Sequence, residues 1–230
     1  MERRLVITVD GPAGSGKSTV SRMLARRISY MYLDTGLLYR AVAWQTVQVG
    51  VSVEDNESLV DICGSIRITR DTDGAMRVLI KGEDISGDLR TEEISMIASS
   101  VSAKPVVREA LLPLQRQAGR QGGIVAEGRD MGTVVFPDAD VKFYLDADVD
   151  ERAQRRYLQL LENGQTADLD EIKRGIGARD SQDSTREVSP LKPADNSMVI
   201  DTTALSIDAV VEKMMMIVRE RTREAQRRIV

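Results

Sequence analysis

The chain has 230 residues with a hydrophobic fraction of 42%, which predicts one large domain around a sizeable core. Its net charge of −4 and its aromatic content of only 3% disfavour a nucleic-acid-binding module. The sequence contains no histidine, which excludes Ser-His-Asp hydrolysis, Cys-His catalysis and histidine-ligated metal sites, and leaves carboxylates, hydroxyls, a loop lysine and many arginines for chemistry.

The first predicted element is a short apolar strand, Leu5 to Val9, and a glycine-rich loop follows it. The motif G-x-x-x-x-G-K-[ST] is matched by Gly11, Pro12, Ala13, Gly14, Ser15, Gly16, Lys17 and Ser18, with Thr19 next. A strand before the motif and a helical pattern after it are the context in which loop N–H groups surround phosphate. We therefore predict a nucleoside triphosphate site rather than a chance glycine turn, with Lys17 on the outer phosphates and the Ser18 hydroxyl on Mg²⁺.

Three helices are predicted next. Apolar residues at helical spacing from Ser18 to Ile28 indicate the first, and Tyr32-Leu33 is interpreted as a short link into Asp34-Thr35-Gly36. The second helix covers Leu37 to Val49, and Asp55 is predicted to cap the third.

The pattern then changes to that of a small antiparallel hairpin. Ile66 to Arg70 alternates with a period of two, Asp71 to Gly74 is predicted as a turn, and Met76 to Ile80 follows as the second strand. Gly82-Glu83-Asp84 is predicted as a further turn. We therefore expect an inserted, β-containing subdomain over about residues 60–102.

The remaining sequence alternates between helices and strands. In chain order it predicts a helix from Pro105 to Arg120, strands at 124–126 and 141–145, a helix from Asp150 to Glu162 ended by Asn163-Gly164, a charged helix at about 168–179, a polar loop to Pro193, a strand at 198–200 and a final helix capped by Ser206. Met214-Met215-Met216 and Trp44 are expected to serve packing.

Alternating strands and helices predict an α/β fold, a parallel sheet flanked by helices. Ligands of such sheets bind at the carboxyl ends of the strands. We therefore expect the loops that follow Val9, Leu33 and Ala126 to meet at one site.

Four clusters outside the phosphate loop each combine an arginine with a polar or acidic group. They are Asp34-Thr35-Gly36 with Tyr39 and Arg40, Ser99 with Arg108, Gly128-Arg129-Asp130-Met131-Gly132, and Arg179-Asp180 with Asp183 and Arg186. Each alone is also consistent with an ordinary turn or a solvated ion pair. All four fall on predicted loops or element ends near one phosphate loop, which favours a second site for an anion, because arginine holds phosphate through two parallel hydrogen bonds.

Together these segments resemble the bacterial cytidylate kinases, a family of nucleoside-monophosphate kinases, over nearly the whole chain to about Glu220. The resemblance rests on residues 10–19, 34–40, 128–137 and 179–186, and the insert is similar to one that the family carries. It implies a P-loop kinase fold over 1–230, with a monophosphate-binding region at about 35–105 and a helical lid at about 150–180. The activity implied is transfer of the ATP γ-phosphate to CMP or dCMP, supported by Mg²⁺.

The resemblance also implies roles for individual residues. The expected CMP-binding set is Thr35, Tyr39, Arg40, Ser99, Arg108, Arg129, Asp130, Arg179, Asp183 and Arg186. Within it, Ser99, Arg108 and Asp130 would contact cytosine, Asp183 and Arg179 the ribose, and Arg40, Arg129 and Arg186 the phosphate. The catalytic residues would be Lys17, Arg129, Arg186 and Arg155, the last on a lid helix with Arg152 and Arg156. Near Mg²⁺ we expect Ser18, with Glu127 acting through water or Asp10 in its place.

Two other functions fit parts of the sequence. One is a monophosphate kinase for another base such as uracil, although uracil lacks the amino donor that a carboxylate would accept from. The other is a nucleotide-dependent switch, for which an Asn-Lys-x-Asp segment is missing.

The expected partners are ATP and CMP or dCMP, with no nucleic acid or membrane, and the chain is expected to be a monomer. A single cysteine, Cys63, and the lack of a signal-peptide pattern predict a cytoplasmic protein. The basic stretch Arg219 to Arg228 is expected to be the solvated end of the last helix.

Overall fold

The protein is described by a computed structural model that covers residues 4–71, 76–162 and 164–227. In these ranges the strands are β1 (Val6–Asp10), β2 (Met31–Asp34), β3 (Ile66–Arg70), β4 (Met76–Ile80), β5 (Glu83–Asp84), β6 (Ile124–Glu127), β7 (Val141–Asp146) and β8 (Met198–Asp201). The α-helices are α1 (Lys17–Arg27), α2 (Thr35–Val49), α3 (Asn56–Ser65), α4 (Glu92–Ser102), α5 (Pro105–Gly119), α6 (Val149–Glu162), α7 (Leu169–Thr185) and α8 (Ile207–Arg227).

Five strands form a parallel sheet in the order β2-β6-β1-β7-β8, which confirms the predicted α/β fold. From β1 the chain passes to β2 at one edge of the sheet, and after β6 it crosses to β7 on the other side of β1. This change in the direction of strand order places a crevice beside the carboxyl end of β1. The loops after β1, β2 and β6 therefore adjoin, as the sequence predicts.

Apolar cores cover both faces of the sheet, because strands in parallel sheets are buried on both sides. Helices α2 to α5 pack on one face around a cluster that includes Leu33, Val42 and Leu111. Helices α1 and α8 pack on the other face, around Leu24 and Met214. Both faces of the sheet are thus packed against helices, and the strand ends that carry the site stand on this core.

The predicted hairpin is present as antiparallel β3 and β4, with Ile66 opposite Ile80. Residues 72–74 of the predicted turn lie outside the described residues. Asn163, at the predicted end of α6, also lies outside them. Glu83-Asp84 is not a turn but the short strand β5, which pairs antiparallel with β4. The insert therefore holds a three-stranded sheet instead of a two-stranded hairpin.

Three further predictions need correction. Tyr32-Leu33 belongs to strand β2 and is not a link. Helix α7 continues to Thr185, so the polar segment after Arg179 is helical as far as that residue. Met216 is 67% exposed, whereas Met214 and Met215 pack in the core as predicted.

Candidate active site

The phosphate loop connects β1 to α1, and its first glycine is required by close contact with a neighbouring strand. Gly11 has φ of +148°, and a Cβ atom there would lie 2.0 Å from the carbonyl oxygen of Leu145 on β7. Ser15 Oγ donates to the carbonyl of Pro12 at 3.0 Å, which fixes the loop from inside. Helix α1 begins at Lys17 without a side-chain cap on its first turn, so its N–H groups face the loop.

Lys17 is buried under this loop. Its ammonium group donates to the carbonyl of Pro12 at 2.5 Å and to Ser15 Oγ at 3.4 Å. Burial, with repulsion from Arg129, lowers the pKa of Lys17 to about 7. The repulsion indicates that Lys17 and Arg129 belong to one continuous region of positive potential.

Two buried carboxylates stand at neighbouring strand ends but have different partners. Glu127 of β6 accepts from the Ser18 hydroxyl at 2.6 Å and from the Tyr32 hydroxyl. Asp10 of β1 accepts from the backbone N–H groups of Met131 and Gly132, each at 2.8 Å. Both oxygens of Asp10 are therefore used by the backbone, whereas Glu127 lies directly against Ser18.

Burial, with repulsion from Asp34, raises the pKa of Glu127, and burial raises that of Asp10 to about 7. In the described part of the chain no group of three or more acidic, histidine or cysteine side chains could hold a metal. A hydroxyl and a single carboxylate are hard oxygen donors of the type that Mg²⁺ takes when phosphates and waters supply its other ligands. Ser18 and Glu127 therefore fit the expected ion.

A network of ion pairs lies across the crevice from the phosphate loop. Asp130 pairs with Arg108, and both side chains are buried. Asp183 of α7 accepts from Arg129 Nε at 2.9 Å and lies 3.5 Å from Arg186 Nη1. Burial opposes ionisation of Asp183, but these arginines, Arg129 above all, lower its pKa below the usual value. The structure thus brings together predicted residues that are up to 78 positions apart in the sequence.

The arginines of this network outnumber their partners. Burial, with repulsion from Arg129, lowers the pKa of Arg179 to about 10. Burial also lowers the pKa of Arg40 and of Arg186. Among the described residues, the buried atoms without a hydrogen-bond partner include Nε of Arg179 and Nη2 of Arg186. Unsatisfied buried donors on cations point to an anionic ligand.

Three other predicted residues adjoin this network. Tyr39 lies under Arg108, with 5.4 Å between the guanidinium carbon and the ring centroid. The Thr35 hydroxyl donates to the carbonyl of Glu127 at 2.7 Å. The Ser99 hydroxyl donates to Oε1 of Gln182, the residue before Asp183 on α7, at 3.3 Å.

The three arginines of α6 that are predicted to belong to a lid contact the phosphate loop and its neighbours. Arg152 donates to the carbonyl of Ala13 at 3.2 Å and pairs with Asp180 at 2.5 Å. Arg155 donates to the carbonyl of Thr202 at 2.7 Å, and Arg156 donates to Glu92 of α4 at 3.1 Å. Helix α6 thus approaches both the loop and the insert.

Sequence reasoning missed three residues of the site. Thr202 donates to the carbonyl of Ser15 at 3.1 Å, and its place directly after β8 could have revealed it by the strand-end rule. Arg90 lies 3.5 Å from Asp34, and Gln182 accepts from Ser99. The last two carry no sequence signal, because their partners come from distant elements.

The site combines a phosphate loop and a buried lysine with an arginine-lined crevice at the switch point of a parallel sheet. This combination defines a P-loop kinase for a small phosphorylated acceptor. The profile of the cytidylate kinase family matches residues 7–220. The cytidylate kinase of Syntrophotalea carbinolica is 49% identical over 223 residues, which cover 96% of this chain and 94% of that protein. The cytidylate kinase of Geobacter sulfurreducens is 47% identical over 222 residues, 96% of this chain and 95% of that protein. The chain belongs to the cytidylate kinase family, as the sequence motifs predict.

A crystal structure of shikimate kinase from Bacteroides thetaiotaomicron is also similar in fold. Its TM-score is 0.45 at 13% sequence identity, covering 94% of this chain and 98% of that one. In the described ranges, no helix is both long and apolar enough to cross a membrane.

Proposed function

We propose that the protein transfers the γ-phosphate of ATP to CMP or dCMP, giving CDP or dCDP and ADP. Membership of the cytidylate kinase family supports the reaction class and the acceptor. The observation that carries the proposal is the proximity of two cationic groups, Lys17 on the donor side and Arg129 on the acceptor side: repulsion from Arg129 helps to lower the pKa of Lys17. A phosphoryl group between them would offset both charges.

On the donor side, we assign the ATP phosphates to the loop and the start of α1, Gly11 to Thr19. Main-chain N–H groups would bind the phosphates and Lys17 would move from Pro12 to the outer ones. Ser18, with Glu127 directly or through water, would hold Mg²⁺. The bound ion would neutralise charge on the phosphate oxygens.

On the acceptor side, we assign the base to Asp130, Arg108 and Ser99, with Tyr39 beneath Arg108. A carboxylate accepts from the cytosine amino group, and uracil offers no donor there. Asp183 and Arg179 would hold the ribose. Arg40, Arg129 and Arg186 would hold the phosphate, with Thr35 fixing the adjoining strand end.

In the reaction, an oxygen of the CMP phosphate attacks the γ-phosphorus while the bond to the ADP oxygen breaks. The protein contributes position and positive charge more than proton transfer. We assign the lid to about residues 150–180, the acceptor region to about 35–105 with the insert at 60–102, and catalytic charge to Lys17, Arg129, Arg186 and Arg155. A closed lid would exclude water that otherwise accepts the phosphoryl group.

A panel of monophosphates tests the proposal: CMP, dCMP, UMP, AMP and GMP, each with Mg·ATP in a coupled ADP assay. We expect kcat/KM for CMP or dCMP to exceed that for UMP at least about 100-fold, because uracil presents a carbonyl oxygen to the buried carboxylate of Asp130 where cytosine presents an amino donor. Asp130→Asn should narrow that ratio, whereas Asp138→Asn, at an exposed position just beyond, should preserve it.

Two results would contradict this assignment. Equal turnover of CMP and UMP would favour a kinase without cytosine selectivity. ATP hydrolysis without phosphorylation of any monophosphate would favour a nucleotide-dependent switch.

A further inference from the structure

The two halves of the site are joined by one side chain that neither half includes. Asp10 is the last residue of β1, directly before the phosphate loop, and is only 3% exposed. Its Oδ1 accepts the N–H of Met131 and its Oδ2 accepts the N–H of Gly132, both at 2.8 Å. These N–H groups follow directly after Arg129 and Asp130 in the chain.

The segment that carries these groups, residues 128–132, here called the acceptor segment, lies tightly against β1. A Cβ atom at Gly132 would lie 3.0 Å from Thr8 Oγ1 and 3.2 Å from Ala194 Cβ, so the backbone approaches the strand more closely than an alanine permits. A π-helical turn, Met131–Val135, begins inside the segment. The place of the acceptor segment is therefore set at β1 by a close contact and by two hydrogen bonds that its N–H groups donate to one carboxylate.

We propose that Asp10 is a positioning residue for the acceptor: its two carboxylate oxygens hold the acceptor segment on β1, so that Arg129 and Asp130 stand at a fixed place relative to the phosphate loop. The inference rests on the proposed assignment of Arg129 and Asp130 to CMP. Both residues extend from the acceptor segment to partners on other helices, Asp183 of α7 and Arg108 of α5. A displacement of the acceptor segment would therefore change the whole acceptor pocket.

Stability alone is a weak reason for a carboxylate at this position. Burial raises the pKa of Asp10 to about 7, despite the two N–H donors that favour its charged form. A buried charge commonly contributes less to stability than well-packed apolar groups of similar volume. What a carboxylate offers here is two acceptor oxygens in one plane, spaced to meet two consecutive backbone N–H groups.

Asp10→Asn is the test, assayed at pH 8, where the carboxyl group of the original chain is ionised. The amide oxygen can accept one N–H, but the amide NH₂ meets the other N–H donor, so one hydrogen bond is replaced by a repulsive contact. We expect KM for CMP to rise about tenfold, and KM for ATP to stay within about twofold, in line with the loss of one charge-assisted hydrogen bond.

Thr8→Val is the matched control. It lies two residues earlier on the same strand, contacts the same Gly132, and its hydroxyl has no hydrogen-bond partner in the part of the chain that the structure describes. Both KM values should stay within about twofold, because the substitution removes a hydroxyl that makes no hydrogen bond in the described part of the chain. A shift in Thr8→Val as large as that in Asp10→Asn would assign the effect to packing and overturn the inference.

Other outcomes also decide the question. Equal rises in KM for CMP and ATP, or a lower melting temperature with both KM values unchanged, would make Asp10 merely structural. If Asp10→Asn does not fold, Gly132→Ala displaces the same segment with Asp10 intact, and an unchanged KM for CMP would then overturn the inference. Asp130→Asn separates the two proposals: if it leaves KM for CMP unchanged, the acceptor assignment fails, and if it alone raises that KM, only the positioning role of Asp10 fails.

Discussion

At the residue scale, the site is built from ionisable groups in surroundings that disfavour their charge. Burial, with repulsion from Arg129, lowers the pKa of both Lys17 and Arg179. Burial raises the pKa of Glu127, with repulsion from Asp34 adding to it. Clusters of perturbed groups in a crevice are typical of catalytic sites. Here the excess is cationic, which suits a site that brings two polyanions together.

Asp183→Asn tests how the positive charge of the site's arginines is balanced by a carboxylate. Asp183 accepts from Arg129 and lies beside Arg186, so the amide would leave two arginines without their carboxylate. We expect KM for CMP to rise about tenfold with KM for ATP nearly unchanged, and the free energy of unfolding to fall by about 1–3 kcal/mol. Steady-state kinetics and denaturant unfolding measure the two effects.

The control for this substitution is Glu187→Gln, which removes the same charge at an exposed position just beyond α7. It should leave the stability and both KM values unchanged. Equal losses of ATP and CMP affinity in Asp183→Asn would contradict the ribose assignment and indicate a structural role.

At the scale of the elements, the sequence predicts those with a clear apolar period and fails where polar residues form structure. Apart from β2 and β5, the strands follow directly from spacing, as do the helices α1 to α3. The cap by Asp55 is confirmed, since its carboxylate accepts from Ser58 N at 3.1 Å. The end of α7 could not be predicted, because only Ile176 and Asp183 on this helix are buried. Its polar residues are helical through tertiary contacts of the charged network, which no local pattern encodes.

Two helix caps provide a matched comparison. Asp168 accepts from Glu171 N at 2.8 Å at the start of α7, and Asp55 does the same for α3. Replacing either by alanine should cost about 1 kcal/mol of stability. Asp168→Ala should also weaken amide hydrogen-exchange protection in the first turn of α7 about fivefold, because that turn is not fixed by a core.

Asp55→Ala should leave exchange in α7 unchanged, since α3 packs in the core around Leu33, Val42 and Leu111, to which α7 contributes no buried residue among those described. If both substitutions changed the exchange of α7 alike, the first turn of α7 would not be a locally stable unit. Unchanged exchange in Asp168→Ala would show that the contacts of α7 with α6 hold its first turn without the cap.

At the scale of the whole molecule, the strand order and the crevice agree with what parallel-sheet rules predict, but the contacts within the crevice do not follow from those rules. The loops after β1, β2 and β6 meet as expected. The pairing of Arg129 with Asp183, and the use of both Asp10 oxygens by the backbone, depend on where α7 and the π-helical turn lie. The sequence therefore indicates which groups form the site, and the tertiary fold decides their partners.

The burial of Asp10 should make the free energy of unfolding of the whole molecule depend on pH. Its pKa is about 7 in the fold and near 3.8 in the unfolded chain, so between these values the folded protein binds more protons than the unfolded one. The contribution of Asp10 to the free energy of unfolding therefore falls as the pH rises from about 4 to about 7 and is constant above that. Denaturant unfolding of the original chain and of Asp10→Asn across this range measures it. The difference between them, original minus variant, should decrease by on the order of 4 kcal/mol, and a difference that is constant or increases with pH would mean that the ionised carboxylate stabilises the fold.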